Sequence, residues 1–428
     1  MGRGASFSPV VHYTGRPPTG YVVTFRFRDP HAKLVQIEGE WYFTNPAVAN
    51  TTFVSQGLTP SEWRPGDVGL NPYAPGLIRA GLKSTWPDTN MTEDRSTGVW
   101  SYTTPLPSGV FSYGFVINCT RPDLTANELA NPNIPTGYTG CPETADPSNL
   151  PWNERGGVTH GSVVTYSQVY VPSDPAFHTV NYWWEAPTSP HGALTDITYR
   201  GADGPPKLPG RNYLAIYTPP GYDSHRQTPY PTLYLSHGYD TNEIDWSTGG
   251  DAANILDELI DRHRVKPMVV VMTNAYWEAP PNPTVHGATI YDRNLLRTII
   301  PYIQAHYNVF RGPSERAFAG LSYGGFVAGT LLVDHTSAFS SFGLFSPAPF
   351  IFPELTPAQV SAIKRVRVMI GLGTGGDATS GSSDAQILRA HGDRVSMYDV
   401  NGGGHDWYTW RQLLYDFLTS GATERPQG

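Results

Sequence analysis

The chain has 428 residues, of which 39% are apolar, 12% aromatic and 15% charged, with 44 glycines and 40 prolines. This length suggests two or three domains, and the composition is that of a globular protein rich in turns. A net charge of −8 argues against nucleic acid or an anionic membrane as a partner. No apolar run is long enough to span a bilayer.

Residues 1–171 are predicted to form an all-β domain. The segments "GYVVTFRFRD", "HAKLVQIEGEWYF" and "VFSYGFVIN" are rich in aromatic and β-branched residues, and turn sequences such as "RPPTG" and "LPSG" separate them. This pattern predicts a β-sandwich. Residues 172–210 are rich in proline and are predicted to form an extended linker along the surface.

Two cysteines and three N-glycosylation sequons fall in the N-terminal third. The cysteines are Cys119 and Cys141, and the acceptor asparagines are Asn50, Asn90 and Asn118. Together they predict a secreted, extracellular glycoprotein with one disulfide, whereas two buried free thiols in a cytosolic protein are the alternative. Because "MGRGAS" at the start has no hydrophobic signal core, we expect that a leader has been removed.

From residue 211 to 428, strand and helix patterns alternate. Strands are predicted at 213–218, 232–238, 268–274, 316–320, 341–346, 367–373 and 394–400, and helices at 251–264, 291–307, 324–334 and 407–419. Apolar strands that alternate with amphipathic helices predict a mostly parallel sheet covered on both faces. The predicted fold class is therefore α/β, preceded by the all-β domain.

Ser322 lies in "GLSYG", between a predicted strand and a predicted helix. This is the context of the G-x-S-x-G nucleophile elbow, which exposes a serine hydroxyl above the sheet. The backbone N–H of Tyr323 would lie at a helix N-terminus and stabilise an oxyanion. The loop "SHGYDTNEIDW" is expected to supply a second donor, the N–H of Tyr239, while His237 holds this loop in place.

A serine nucleophile needs a base, and His405 is the preferred candidate. It lies in "NGGGHDWYTW", directly after the last predicted strand, where three glycines let the loop approach the serine. His335 follows the elbow helix and His391 ends a later helix, so both are expected to be surface or packing residues.

The base needs an orienting acid, and Asp377 is the preferred candidate. It follows a predicted strand in "TGGDATSG", at the same sheet edge as Ser322 and His405. Asp384 is the reserve, although it is expected to cap a helix. Asp399 belongs to a strand and Asp406 directly follows His405, which makes both awkward partners.

A competing motif is "GLGTGG", in which Gly371, Gly373 and Gly376 match the dinucleotide fingerprint G-x-G-x-x-G, with Asp399 further along. It stands near the end of the chain, whereas such a motif normally opens the sheet. No metal-binding motif such as H-E-x-x-H is present. The sequence therefore predicts neither a cofactor nor a metal.

The stretches "YTPPGYD", "PTLYLSHGYDTNEIDW", "AGLSYGGF" and "GGGHDWYTW" resemble the esterase-D-like α/β-hydrolases of carbohydrate esterase family 1, which include feruloyl and acetylxylan esterases. The resemblance covers most of residues 211–420. It implies a serine carboxylesterase with Ser322, Asp377 and His405 as the triad. Residues "GVWSYTTPLPSGVFSYGFVIN" resemble the E-set or starch-binding-like β-sandwich of many relatives.

The predicted substrate is an ester substituent of a plant cell-wall polysaccharide, feruloyl or acetyl. Four aromatic residues are expected to line an acyl pocket: Trp246, Tyr276, Trp277 and Trp407. A polysaccharide or small-molecule ester is the expected partner, and the oligomeric state stays open.

Two alternatives remain. Siderophore esterases share the family, and such an activity would require basic residues near the cleft, for which Arg293, Arg297 and Arg411 are the candidates. A non-catalytic carbohydrate-binding protein that retains the fold is the other.

Overall fold

The structure, a computed structural model, describes residues 9–50, 57–69, 89–119, 143–150, 166–178, 180–200, 212–238, 241–275, 291–348, 354–375, 377 and 381–421. Its first eleven strands are β1 (Val10–Tyr13), β2 (Tyr21–Arg28), β3 (Val35–Gly39), β4 (Phe43–Thr44), β5 (Val68–Gly69), β6 (Thr89–Asn90), β7 (Thr92–Asp94), β8 (Val99–Pro105), β9 (Gly109–Ile117), β10 (Glu143–Thr144) and β11 (Ser167–Val171). They form two antiparallel sheets, β1-β2-β8-β7 and β10-β9-β3-β6, with β11 also paired to β9. Strands β4 and β5 form a separate pair, and we call β1–β11 together the N-terminal β-region.

Aromatic side chains fill the space between these two sheets. Along β2 every second residue is buried, which is the two-residue period of a strand with one face on a core. Phe25 on β2 lies 5.1 Å from Trp41 and 4.7 Å from Tyr113 on β9, measured between ring centroids. Burying each such ring contributes about 2–3 kcal/mol, so the aromatic-rich segments found in the sequence hold the β-region together.

The remaining strands form one eight-stranded sheet. They are β12 (Ala193–Tyr199), β13 (Asn212–Thr218), β14 (Thr232–Ser236), β15 (Val269–Thr273), β16 (Arg316–Leu321), β17 (Ser341–Phe345), β18 (Arg367–Gly373) and β19 (Val395–Val400). Their spatial order is β12-β13-β15-β14-β16-β17-β18-β19. Pairing is antiparallel up to β15 and parallel from there to β19. The α/β class with a mostly parallel sheet is confirmed.

Helices cover both faces of this sheet. The helices are α1 (Pro46–Ala49), α2 (Asp245–Thr248), α3 (Ala252–Asp261), α4 (Ile300–His306, after a π-helical turn at Leu295–Ile299), α5 (Tyr323–Asp334), α6 (Pro357–Ile363), α7 (Gly381–Ala390) and α8 (Trp407–Thr419). Apolar residues of α3 and α8 pack on one face, and those of α4, α5 and α7 on the other. In the described part of the chain, no helix has both the length and the apolarity needed to cross a membrane.

Residues 172–210 were predicted to form an extended surface linker, but the structure has a strand and buried residues in this segment. Strand β12 lies within it and pairs along its whole length with β13, at the edge of the large sheet. Trp184 is buried as well, with its ring stacked 4.4 Å from that of Tyr415. Prolines are compatible with the flanks of an edge strand, so the proline content of this segment concealed a strand of seven residues.

Candidate active site

Ser322 occupies a sharp turn between β16 and α5. Its backbone has φ 51° and ψ −110°, a conformation that is costly for a residue with a side chain and is typical of a nucleophile elbow. A Cβ atom on Gly324 would lie 2.6 Å from the carbonyl oxygen of Ser236, and one on Gly320 would lie 2.5 Å from the backbone of Gly324. Both glycines are therefore required for the turn that presents the Ser322 hydroxyl at the carboxyl edge of the sheet.

The structure brings Ser322, His405 and Asp377 together in one chain of hydrogen bonds. Nε2 of His405 lies 2.9 Å from Oγ of Ser322, and Nδ1 of His405 lies 2.9 Å from Oδ1 of Asp377. The Asp377 side chain is fully buried, whereas the imidazole is 23% exposed. This is the geometry in which an imidazole can accept the serine proton while a carboxylate orients it.

Two further groups orient Asp377. Its Oδ2 atom accepts hydrogen bonds from the Ser346 hydroxyl and, at 3.0 Å, from the backbone N–H of Gly373. Ser346 has φ 41° and directly follows β17, between the strands that precede Ser322 and Asp377. Ser346 was not predicted from the sequence, although its position at the end of a neighbouring parallel strand is a signal that indicates it.

The loops that carry Asp377 and His405 are in direct contact. A Cβ atom on Gly373 would lie 2.2 Å from the carbonyl oxygen of Gly403, so a larger residue there would push the two loops apart. This packing explains the glycine at the centre of "GLGTGG" without a bound nucleotide. Gly376, the third glycine of that motif, lies outside the described residues.

The alternative acids and bases lie elsewhere. Asp406 caps α8, and burial raises its pKa to about 6. Asp384 lies in the first turn of α7 and His335 ends α5. His391 and Asp399 are exposed.

His237 is built into the loop that follows β14. It is 1% exposed, and its Nε2 atom accepts a hydrogen bond from the N–H of Ala275 at 2.9 Å. The other ring nitrogen, Nδ1, lies 2.6 Å from the carbonyl oxygen of Gly238. Burial lowers the pKa of His237 to about 4, so the ring is neutral near pH 7 and holds the loop in place, as the sequence predicted.

One of the two predicted oxyanion donors lies within the described residues. Tyr323 is the first residue of α5 and directly follows Ser322, so its N–H lies at the positive end of a twelve-residue helix. Tyr239 lies outside the described residues, and its role stays a prediction.

The four predicted pocket residues are not all placed beside the triad. Trp246 is 1% exposed, and its indole N–H donates to the carbonyl of Ser236 at 2.9 Å. It therefore belongs to the core beneath the site. Trp407 is half-buried, and the centroid of its ring lies 5.3 Å from that of Trp246. Tyr276 and Trp277 lie outside the described residues.

The predicted disulfide and glycans stay predictions. Cys119 follows β9, but Cys141 lies outside the described residues. Asn50, Asn90 and Asn118 are exposed, and the Asn118 side chain also accepts backbone hydrogen bonds that hold the start of β3.

Asn50 connects the N-terminal β-region to both catalytic loops. Its Nδ2 atom donates to Oδ1 of Asn401 at 3.0 Å, and its Oδ1 atom accepts from the hydroxyl of Thr374 at 2.6 Å. Thr374 precedes Asp377 in its loop, and Asn401 precedes His405. The hydroxyl oxygen of Thr374 also accepts from the N–H of Gly402 at 2.8 Å. One asparagine of the β-region thus bridges the loops that carry Asp377 and His405.

We expect Asn50→Ala to lower kcat by about 3- to 10-fold with little change in KM, because small misplacements of catalytic groups reduce the rate of the chemical step. Steady-state kinetics on a chromogenic ester measures both constants. Thr52→Ala is the matched control, since it removes the same glycosylation sequon and keeps the Asn50 side chain. Equal losses in both variants would assign the effect to the glycan.

Comparison with known proteins identifies the family of the chain. The Esterase family profile matches residues 206–420, which is half of the chain. The chain belongs to the Esterase family. The resemblance to esterases found in the sequence is thereby confirmed, and the matched segment contains Ser322, Asp377 and His405.

Individual relatives agree with this membership. The chain is 27% identical over 230 residues to an endo-1,4-beta-xylanase/feruloyl esterase of Xylanibacter ruminicola, a match that covers 52% of this chain and 30% of that protein. It is 32% identical over 123 residues to an esterase of Mycobacterium tuberculosis, covering 28% of this chain and 25% of the relative. The chain thus spans about a third or less of the length of these relatives.

A solved structure extends the likeness to the N-terminal β-region. The enterobactin esterase of Shigella flexneri matches 97% of this chain and 96% of its own, with 17% identity and a TM-score of 0.53. At this identity the match shows a common fold that includes both the β-region and the α/β domain.

Proposed function

We propose that the protein is a serine carboxylesterase that hydrolyses feruloyl or acetyl substituents of plant cell-wall polysaccharide. The observation that carries the proposal is the Ser322–His405–Asp377 hydrogen-bond chain, with both distances at 2.9 Å, inside a chain of the Esterase family. We further propose a secreted origin, for which the sequons and the cysteine pair are the support.

The proposed reaction has two steps. The Nε2 atom of His405 accepts the proton of Ser322 while Oγ attacks the ester carbonyl, and the N–H of Tyr323 stabilises the resulting oxyanion. The C–O bond to the alcohol then breaks, and the imidazolium gives its proton to the departing alkoxide. Water attacks the acyl-enzyme in the same way, releasing the acid and restoring Ser322.

Two observations support the proposal of a cell-wall substrate. One is the similarity to the xylanase/feruloyl esterase, and the other is the burial of Arg411, which disfavours the siderophore alternative. Arg411, one of the three candidate cations for binding an anionic siderophore, is 3% exposed. Its guanidinium donates to Glu40 and to the carbonyls of Val110 and Gly249, each at 2.9 Å. Arg411 is thus fully engaged inside the protein.

A substrate panel tests the proposal, with the Ser322→Ala protein as the blank. We expect methyl ferulate or acetylated xylan to be hydrolysed at a rate about a thousandfold or more above the blank. Hydrolysis of a catecholate triester alone would favour the siderophore esterase. The absence of turnover on every ester, including a chromogenic short-chain one, would favour the non-catalytic alternative.

A further inference from the structure

A cavity of about 340 Å³ lies between the N-terminal β-region and the start of α8. The β-region contributes Phe43, Trp63 and the β5 residues Val68 and Gly69 to its wall. The α/β domain contributes His405 and the first residues of α8. The volume is within the range of small-molecule sites, so the two parts of the chain together enclose a space that can hold a ligand.

The cavity lies beside the Ser322–His405 pair. His405 is one of its lining residues, and the Nε2 atom of the His405 imidazole lies 2.9 Å from Oγ of Ser322. In ester hydrolysis this imidazole must also protonate the departing alcohol, so the alcohol half of the ester lies on the imidazole side of the reacting carbon. A cavity lined by His405 is thus better placed for the alcohol than for the acyl group.

The lining favours a neutral group that carries hydroxyls. Aromatic side chains form much of the wall, and the carboxylates of Glu40, Asp67 and Glu185 supply hydrogen-bond acceptors. Arg411 is the only lysine or arginine among the described lining residues, and its guanidinium is paired with Glu40. Burial lowers the pKa of His178, another lining residue, to about 4, so this ring adds no positive charge near pH 7. An anionic alcohol would meet carboxylates without a free cation.

We propose that this cavity binds the alcohol half of the ester, a neutral hydroxylated group such as a sugar, and that the N-terminal β-region thereby determines leaving-group specificity. The proposal rests on the esterase function proposed above and names the part of the substrate that the β-region recognises. The acyl group would lie on the other side of Ser322, outside this cavity.

Filling the cavity is the direct test. The three atoms nearest to a Cβ atom on Gly69 all belong to Tyr408, at 3.5 Å or more, which is ordinary contact, so Gly69→Leu can extend into the cavity without a clash at Cβ. Two esters with the same acyl group are compared, methyl ferulate and the ferulate ester of L-arabinose. We expect kcat/KM for the arabinose ester to fall by about tenfold or more, while that for methyl ferulate changes by less than about threefold. Equal losses on both esters, or no loss on either, would overturn the proposal.

Two further variants keep the test decisive. Gly312→Leu makes the same substitution at an exposed position where a Cβ atom meets nothing within 4 Å, and it should leave both esters unaffected. Val180 lines the cavity and is 44% exposed, so Val180→Trp narrows it from the solvent side even if Gly69→Leu fails to fold. It should reduce turnover of the arabinose ester selectively.

A binding measurement separates this proposal from the proposed function. Calorimetric titration of the Ser322→Ala protein with the arabinose ester needs no turnover. We expect Gly69→Leu to weaken this binding by about tenfold or more and to leave the binding of methyl ferulate unchanged. If no ester is hydrolysed but the selective loss of binding is seen, the esterase function fails and the cavity assignment stands. If hydrolysis depends on Ser322 and the selective loss is missing, the cavity assignment fails alone.

Discussion

Replacing Ser322 with alanine should lower kcat by about 10⁴-fold or more, because the acyl-enzyme can no longer form. The substitution removes one hydroxyl whose oxygen lies 2.9 Å from Nε2 of His405, and alanine meets the same backbone restriction as serine at φ 51°. The fold should therefore be unchanged. Burst kinetics with a chromogenic ester measures the loss, and circular dichroism together with Tm checks the fold.

Ser346→Ala should have a smaller effect on kcat than Ser322→Ala. It removes a hydroxyl that donates to Asp377 without touching Ser322 or His405, so we expect a loss of about tenfold in kcat, the equivalent of one hydrogen bond of about 1.4 kcal/mol. Activity of the Ser322→Ala protein close to that of the wild type would eliminate the serine mechanism. A Ser346→Ala loss as large as that of Ser322→Ala would instead give Ser346 a direct part in the reaction.

The second large effect is expected on stability, at the contact between the β-region and the α/β domain. Arg411→Met should lower the free energy of unfolding by about 3–5 kcal/mol, because it leaves the Glu40 carboxylate without its counter-charge and takes one donor from each of the buried carbonyls of Val110 and Gly249. Burial opposes the charge of Arg411, but Glu40 and Glu185 raise its pKa above the ordinary value, so the guanidinium is charged near pH 7. Chemical denaturation and Tm measure the loss.

Two controls identify the origin of that loss. Arg226→Met removes an exposed guanidinium that lies 4.6 Å from the centroid of the Tyr230 ring and should cost about 1 kcal/mol or less. The double variant Glu40→Gln with Arg411→Met should recover part of the stability, because the amide leaves no unpaired charge. If Arg411→Met is no more harmful than Arg226→Met, the buried ion pair does not hold the two parts of the chain together.

The contacts of Arg411 and Asn50 connect the β-region to the active site. The sequence of the β-region does not indicate this connection. Arg411 fixes the β-region against α8, and Asn50 connects it to the two loops that carry Asp377 and His405. A change in how the β-region packs would therefore alter the catalytic geometry as well as the cavity beside His405. The predicted losses in Asn50→Ala and Gly69→Leu test these two effects separately.

Local sequence patterns were sufficient to predict the strands and helices of the α/β domain and the residues Ser322, His405 and Asp377. Each of the seven strands predicted after residue 211 corresponds to a strand of the large sheet within a few residues. Ser322 was found from two glycines and a strand-to-helix transition, because the steric demands of the elbow are local. Asp377 and His405 were found because the carboxyl ends of parallel strands share one edge of the sheet.

Local sequence patterns did not predict the contacts between distant segments of the chain. Strand β12 was missed because prolines flank it and because, among the described strands, it pairs with β13 alone. From the sequence, Arg411 was a candidate cation for an anionic substrate, whereas in the folded chain its guanidinium donates to Glu40, 371 positions away. Nothing near either residue in the sequence records that pairing.

The sequence by itself determined the α/β fold, the sharp turn at Ser322 and the choice of His405 and Asp377 as its hydrogen-bonded partners, because each depends on periodicity or on a short motif. Only the tertiary structure decided that Asn50 bridges the loops that carry Asp377 and His405, and that a cavity opens beside His405. The physical reason is that these features arise where the β-region packs on the α/β domain. A side chain there is selected by neighbours hundreds of residues away, and no local pattern carries that information.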